Sequence, residues 1–153
     1  MIWTVERIQQ AEATCAKWHG TPHRDRVAIV GAGIDCVMFV NEILADAGII
    51  ERVEFPAYPI ADGIHEPSHR LAKAIENFLH VESATLDAAQ FGDIGVGVTG
   101  QGRSAHILFV GNGRVWHSLA GVGVTHGKYN VWKSHISRLY RINGEGVNSL
   151  KFT

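Results

Sequence analysis

The hydrophobic period of this chain changes once, near Ala89, and that change limits the fold more than any other feature. Before it, apolar residues recur every three or four positions. After it, they alternate. The first spacing places side chains on one face of a helix, and the second on one face of a strand. Helices followed by strands give an α+β domain: N-terminal helices packed on an antiparallel β-sheet or half-barrel.

Val5, Ile8, Ala11, Cys15 and Trp18 predict a helix over 4–18, ended by Gly20. A broad apolar face from Val37 to Ala47 predicts a second helix over 36–48, with Gly48 as its C-terminal cap. Pro67 in the first turn and Leu71, Ala74, Ile75 and Phe78 predict a third over 67–80. Residues 20–33 and 49–66 read as irregular connections, the latter punctuated by Pro56 and Pro59. Alternation at 94–98, 106–110, 115–118, 122–124 and 136–142 predicts five strands. With no repeat, low-complexity stretch or internal boundary, residues 1–153 are expected to form a single domain.

The formal net charge is −1, and no basic run is interleaved with aromatics, so the sequence offers no nucleic-acid footprint. No apolar run reaches the ~20 residues of a membrane span. The start, Met1-Ile2-Trp3-Thr4-Val5-Glu6, lacks the basic and apolar regions of a secretory signal, so synthesis in a cytoplasm is expected, with any later export by another route. The cysteines, Cys15 and Cys36, fall on different predicted helices and read as separate thiols.

Cys36 is the candidate nucleophile. Gly31-Ala32-Gly33-Ile34-Asp35-Cys36 runs straight into the second helix, with Asp35 as its N-cap. In a first turn, free backbone N–H groups and the helix dipole favour a thiolate. Thiols so placed fall from about 8.5 to roughly 3.5–7.5. The same N–H groups can hold an oxyanion.

A cysteine nucleophile needs a base, and the base an orienting partner. Asn112-Gly113 suits a two-residue type I′ hairpin turn. Counting outward pairs Val110 with Val115, Leu108 with His117 and His106 with Leu119. His106 and His117 then share a face as diagonal neighbours, about 7–8 Å apart at Cα. That separation lets one imidazole reach the other.

Other signals are weaker. His65-Glu66-Pro67-Ser68-His69 matches the HExxH zinc motif in letters, but Pro67 breaks the helix that the motif requires, so no metal site is expected. Gly31-Ala32-Gly33 is not a dinucleotide fingerprint. His19, His80, His126 and His135 read as surface residues, and Trp18, Trp116 and Trp132 as core packing more than groove lining.

In order along the chain stand Gly20-Thr21-Pro22, Gly33-Ile34-Asp35-Cys36, Gly92-Asp93-Ile94, Ser104-Ala105-His106-Ile107, Arg114-Val115-Trp116-His117-Ser118 and Gly121-Val122-Gly123-Val124. Together they resemble the NlpC-type papain-like cysteine peptidases, with the flavour of phage tail-associated cell-wall enzymes. The resemblance spans roughly residues 5–142. It implies a papain-like core and hydrolysis of an amide bond in bacterial peptidoglycan peptides, often between a D-glutamyl residue and a diamino acid. It implies Cys36 as nucleophile, His106 as base and His117 as the residue that orients it. His23, Asp35, Val37, Met38, Ser104 and Ala105 would line the cleft. No metal or organic cofactor is implied. Expected partners are the peptidoglycan peptide and phage-tail or other delivery-system proteins, with a virion-associated location. The chain departs from the family pattern at three points. His23 stands where Tyr usually follows Thr-Pro, Met38 where a small Gly is common, and the His106–His117 interval is one residue short. Two other readings remain open: acyl transfer or cleavage of another amide by the same residues, and a non-enzymatic tail module with a degenerate peptidase fold.

Overall fold

A computed structural model describes residues 2–52, 67–99 and 104–144. Thr4 caps the first helix, α1 (Val5–Trp18), by accepting a hydrogen bond from Arg7 N–H. α1 buries Ala11, Cys15 and Trp18 of the predicted stripe, together with Thr14; Ile8 is half-buried, and Val5 in the first turn is exposed. Asp35 caps α2 (Cys36–Asp46), which turns Val37, Phe39, Val40, Asn41, Ile43 and Leu44 inward. α1 is fastened to α2 by Thr14 Oγ1, which donates to Asp46 Oδ2 at 2.8 Å. α3 (Pro67–Phe78) starts at its proline, as expected, and ends two residues early.

The connection over 20–33 is more ordered than expected. Ala28–Ile29 (β1) and Gly33–Ile34 (β2) form a small antiparallel hairpin, and His23 bridges to Ile34 beside it. Two residues per strand are too few for alternation to show.

Among the described residues, the main sheet has six antiparallel strands. They are β3 (Val81–Ala84), β4 (Ile94–Thr99), β5 (Ser104–Val110), β6 (Arg114–Leu119), β7 (Gly123–Lys128) and β8 (Ile136–Ile142). Their spatial order is β3-β8-β4-β5-β6-β7, so the last strand is threaded between the first two. β3 was not foreseen in the sequence: Val-Glu-Ser-Ala carries too little apolar signal, and it holds its place at the sheet edge by pairing with β8. β7 extends beyond the predicted 122–124, and a short helix, α4 (Tyr129–Trp132), follows it.

α2 and α3 lie against β4, β5 and β6. Between the layers Phe39, Ile43, Leu44, Ile75, Ile94, Val96 and Phe109 are buried to 3% exposure or less. Burying a side chain of this kind contributes about 1.5–3 kcal/mol, so this layer fixes the distance between α2 and β5. No described helix is long and apolar enough to cross a membrane.

The β5–β6 turn corrects one expectation and keeps its consequence. A type I′ turn needs positive φ at both central residues. Gly113 has φ 72°, but Asn112 does not share that sign, since Arg26 alone among the described non-glycine residues does. A turn with one left-handed residue, at the glycine, suffices. The loop still has two residues, and Val110 still pairs with Val115 and Phe109 with Trp116; the β5–β6 ladder ends there, so the expected Leu108–His117 and His106–Leu119 pairs do not form.

Candidate active site

Asp35 builds the start of α2. Its carboxylate accepts Met38 N–H at 2.9 Å and Arg26 N–H at 3.0 Å, and the residue is 3% exposed. One side chain thus ties the first turn of α2 to the loop before it. Cys36 follows, half-buried, with a free thiol. The thiol lies against backbone N–H groups of Ile107, Val37 and Cys36 itself. Ile107 follows His106 on β5, so the first turn of α2 meets the sheet beside that histidine.

These N–H groups lower the thiol pKa, as the helix-start argument expects. Burial outweighs them, and with the Asp35 carboxylate it pushes Cys36 up to about 12. The expected stabilised thiolate is therefore corrected. Desolvation wins over the helix dipole here, and the resting group is a neutral thiol.

His106 and His117 are 5% and 0% exposed. His106 Nε2 lies 2.8 Å from His117 Nδ1. The register argument brought these two residues to one face, and the rings meet there. Burial, then the neighbouring His117 and His23, depresses His106 to about 3, and burial depresses His117 to about 4. Both imidazoles are neutral at neutral pH. With Nε2 of His106 engaged, only its Nδ1 remains for another partner. Cys36 and His106 form no hydrogen bond with each other; such contacts often tighten only with substrate bound.

His23 faces the same region from the other side. Its Nδ1 lies 3.1 Å from the Ser118 carbonyl oxygen and 3.0 Å from Ser118 Oγ. Ser118 Oγ spends its own proton on the Ile34 carbonyl at 2.7 Å. Both Ser118 oxygens therefore accept, and the donor is His23 Nδ1–H. His23 Nε2 is 3.5 Å from Asp25 Oδ1. His23 thus joins loop, hairpin and sheet where a phenol was the family expectation.

The remaining predicted cleft residues separate. Val37 is 8% exposed and lines a small apolar cavity with Val40, Asn41 and Ile107. Met38 is half-buried against the core. Ala105 pairs with Val98 on β4, and Ser104 opens β5. His65 and Glu66 of the HExxH match lie outside the described residues, and α3 begins after them, at Pro67. Among the described residues, no group of three or more His, Cys, Asp or Glu is placed to hold a metal.

Two residues of the site were not singled out from sequence. Ser118 is one; its place beside His117 on β6 was visible, but its two long-range partners were not. Trp132 is the other. Its ring stands perpendicular to His117, at 88°, with centroids 4.4 Å apart, and 6.4 Å from His106. Gly127 makes room for it, since a Cβ there would come within 2.6 Å of Trp132 Nε1.

No family model matches the sequence, and no curated protein does. Solved structures match the fold. One is a Staphylococcus aureus protein described as similar to a lipoprotein of the NLP/P60 family, with TM-score 0.60 and 17% identity over 92% of this chain. This chain spans 42% of that protein. Another is the NlpC/p60 domain of the peptidoglycan hydrolase SagA, with TM-score 0.54 and 16% identity, covering 89% of this chain and 97% of that domain. The helices and antiparallel sheet of this chain are therefore arranged in the fold of NlpC/P60 proteins.

Proposed function

We propose that this protein is an NlpC/P60-type cysteine hydrolase that cleaves an amide bond in bacterial cell-wall peptides, with Cys36 as nucleophile, His106 as base and His117 as the group that orients His106. The observation that carries the reading is the 2.8 Å contact between His106 Nε2 and His117 Nδ1, which engages one ring nitrogen of His106 and leaves Nδ1 as the nitrogen available to a thiol. The choice of substrate rests on the fold shared with a peptidoglycan hydrolase and on the ordered sequence resemblance.

The raised thiol and depressed imidazoles favour a neutral resting pair over a preformed ion pair. The proton then moves from Cys36 Sγ to His106 Nδ1 as sulfur attacks the amide carbonyl. Backbone N–H groups at the start of α2 receive the oxyanion. The tetrahedral species collapses, the C–N bond breaks, and His106 returns the proton to the leaving amine. Water, deprotonated by His106, attacks the thioester and releases the acid and the thiol.

The test is Cys36→Ala, assayed on purified peptidoglycan peptides with thermal unfolding recorded alongside. Turnover should fall by about 10⁴-fold or more while the melting temperature stays nearly unchanged. Cleavage at the original rate sinks the proposal. Delivery by a phage tail or another carrier belongs to the same proposal and rests on sequence resemblance alone. Immunodetection in virions or culture fluid tests it.

A second reading draws on the raised thiol: a non-enzymatic module that keeps the fold. Turnover separates the two, because a neutral resting thiol is expected in both. No cleavage across a panel of cell-wall peptides and acyl donors selects the module.

A further inference from the structure

His117 Nε2 is fully buried and has no hydrogen-bond partner. An unpaired buried polar atom on a histidine that touches the presumed base calls for a physical account. Against the ring of His117 stands the indole of Trp132, perpendicular to the imidazole at a centroid separation of 4.4 Å. That separation is at the short end for a T-shaped pair, close enough for an imidazole N–H to reach an aromatic face. We propose that Trp132 is a positioning residue: its π face receives the Nε2–H of His117 and so fixes the proton positions of both histidines.

The inference rests on the reading of His106 as the base, and the logic follows from one shared proton. Between His106 Nε2 and His117 Nδ1 there is room for a single hydrogen. If it belongs to His106, then His106 Nδ1 is bare and can take the thiol proton. His117 Nδ1 is then an acceptor, and the proton of neutral His117 must sit on Nε2. If it belongs to His117, His106 is protonated on Nδ1 and cannot act as a base. His117 Nε2 would then turn a lone pair toward its surroundings. The negative face of an aromatic ring attracts an N–H and repels a lone pair. Trp132 therefore selects the tautomer in which His106 is competent. Its own position is set by Gly127, where any side chain would displace the indole, and by the ring of His135, 5.2 Å away on its other flank.

The test is nitrogen-15 NMR of the imidazoles at neutral pH, with peptide cleavage measured in parallel. In the wild-type protein, both histidines should be protonated on Nε2, and the Hε2 of His117 should be moved upfield by the indole ring current. Trp132→Leu should populate the Nδ1–H form of His117 and lower kcat about tenfold with KM little changed, whereas Trp132→Phe, which keeps a π face, should restore the tautomer and most of the rate. A wild-type His117 protonated on Nδ1, an Hε2 without upfield displacement, or Leu and Phe variants with the same tautomer as each other would overturn the inference. If Trp132→Leu does not fold, the wild-type and Phe spectra decide by the same signals. The tautomer is read without turnover, so a protein that shows the stated tautomers but cleaves nothing refutes the proposed function and leaves this inference standing.

Discussion

The start of α2 and the β5–β6 hairpin bring the two halves of the site together by different means. At α2, one carboxylate does most of the positioning: Asp35 holds two backbone N–H groups, and Cys36 follows in the chain. In the hairpin, no single side chain places His106 or His117. Backbone ladders with β4 and β7 hold each strand, and alternation puts both histidines on one face of the sheet. The contrast shows that the nucleophile is exposed to point substitution, while the histidine pair is exposed to slippage. A residue changed at Asp35 disturbs the first, and a residue added to β6 disturbs the second.

The largest effect should come from slippage. One residue inserted between Val115 and Trp116 turns His117 to the opposite face of the sheet. Peptide release, followed by chromatography, should fall by at least about 10³-fold. The same insertion between Asn112 and Gly113 lengthens only the loop and should leave turnover within about tenfold. Equal losses from both insertions would break the contrast.

Acid should reach the hairpin next. Both histidines have pKa values below the 6.5 of an unfolded chain, so the unfolded state binds protons first. Their neutral forms add no penalty above about pH 6.5, and stability falls as pH drops from there toward about 4. Each histidine contributes a loss of about 2 kcal/mol by pH 5. Urea unfolding at pH 7 and pH 5 measures it, and a flat profile would contradict the depressed values.

Asp35→Ala should cost about 2 kcal/mol, because it orphans two backbone donors at a buried helix start. Thermal unfolding gives the size, and Asp35→Asn, which keeps one acceptor oxygen, should recover part of it. The smallest effect is expected at the seam between the two regions. Ser118→Ala removes one of two donors to the Ile34 carbonyl, which keeps Arg24 N–H, and should cost about 1 kcal/mol, while His23 keeps its contact with the Ser118 carbonyl. A loss equal to that of Asp35→Ala would mean that the seam, and not the cap, holds Cys36 in place.

How far the sequence foretold this follows from the same contrast. Asp35 as a cap, Cys36 as the first residue of α2 and the Val110–Val115 pairing were open to reading, because each rests on local chain chemistry or on counting. The type of the Asn112-Gly113 turn was misread, yet the register survived because it depends on loop length. β1, β2 and β3 were missed, being too short or too polar to show alternation. The state of the thiol was misread because the dipole of a helix start is visible in sequence and its desolvation is not. Ser118 draws no role from sequence and Trp132 reads there as core packing, because their partners lie far along the chain or across a fold that no periodicity specifies. Ser118 reaches Ile34, and Trp132 reaches back over β7 to His117.

The strand order β3-β8-β4-β5-β6-β7 also bears on how the molecule acquires its structure in time. The stretch from β4 to β7 closes through neighbours in sequence, with short loops and little entropy to overcome. β8 must instead enter between β3 and β4, pairing Val81 with Ile142 and Ile94 with Tyr140. Contacts of such sequence separation form slowly. Folding should therefore pass through a species in which the two histidines already face one another on a native-like meander while one flank of β4 stays open. Pulsed hydrogen exchange during refolding should find β5 and β6 protected before β3. On the ribosome, the same order would bring the histidine pair out of the exit tunnel before the strand that seals the sheet.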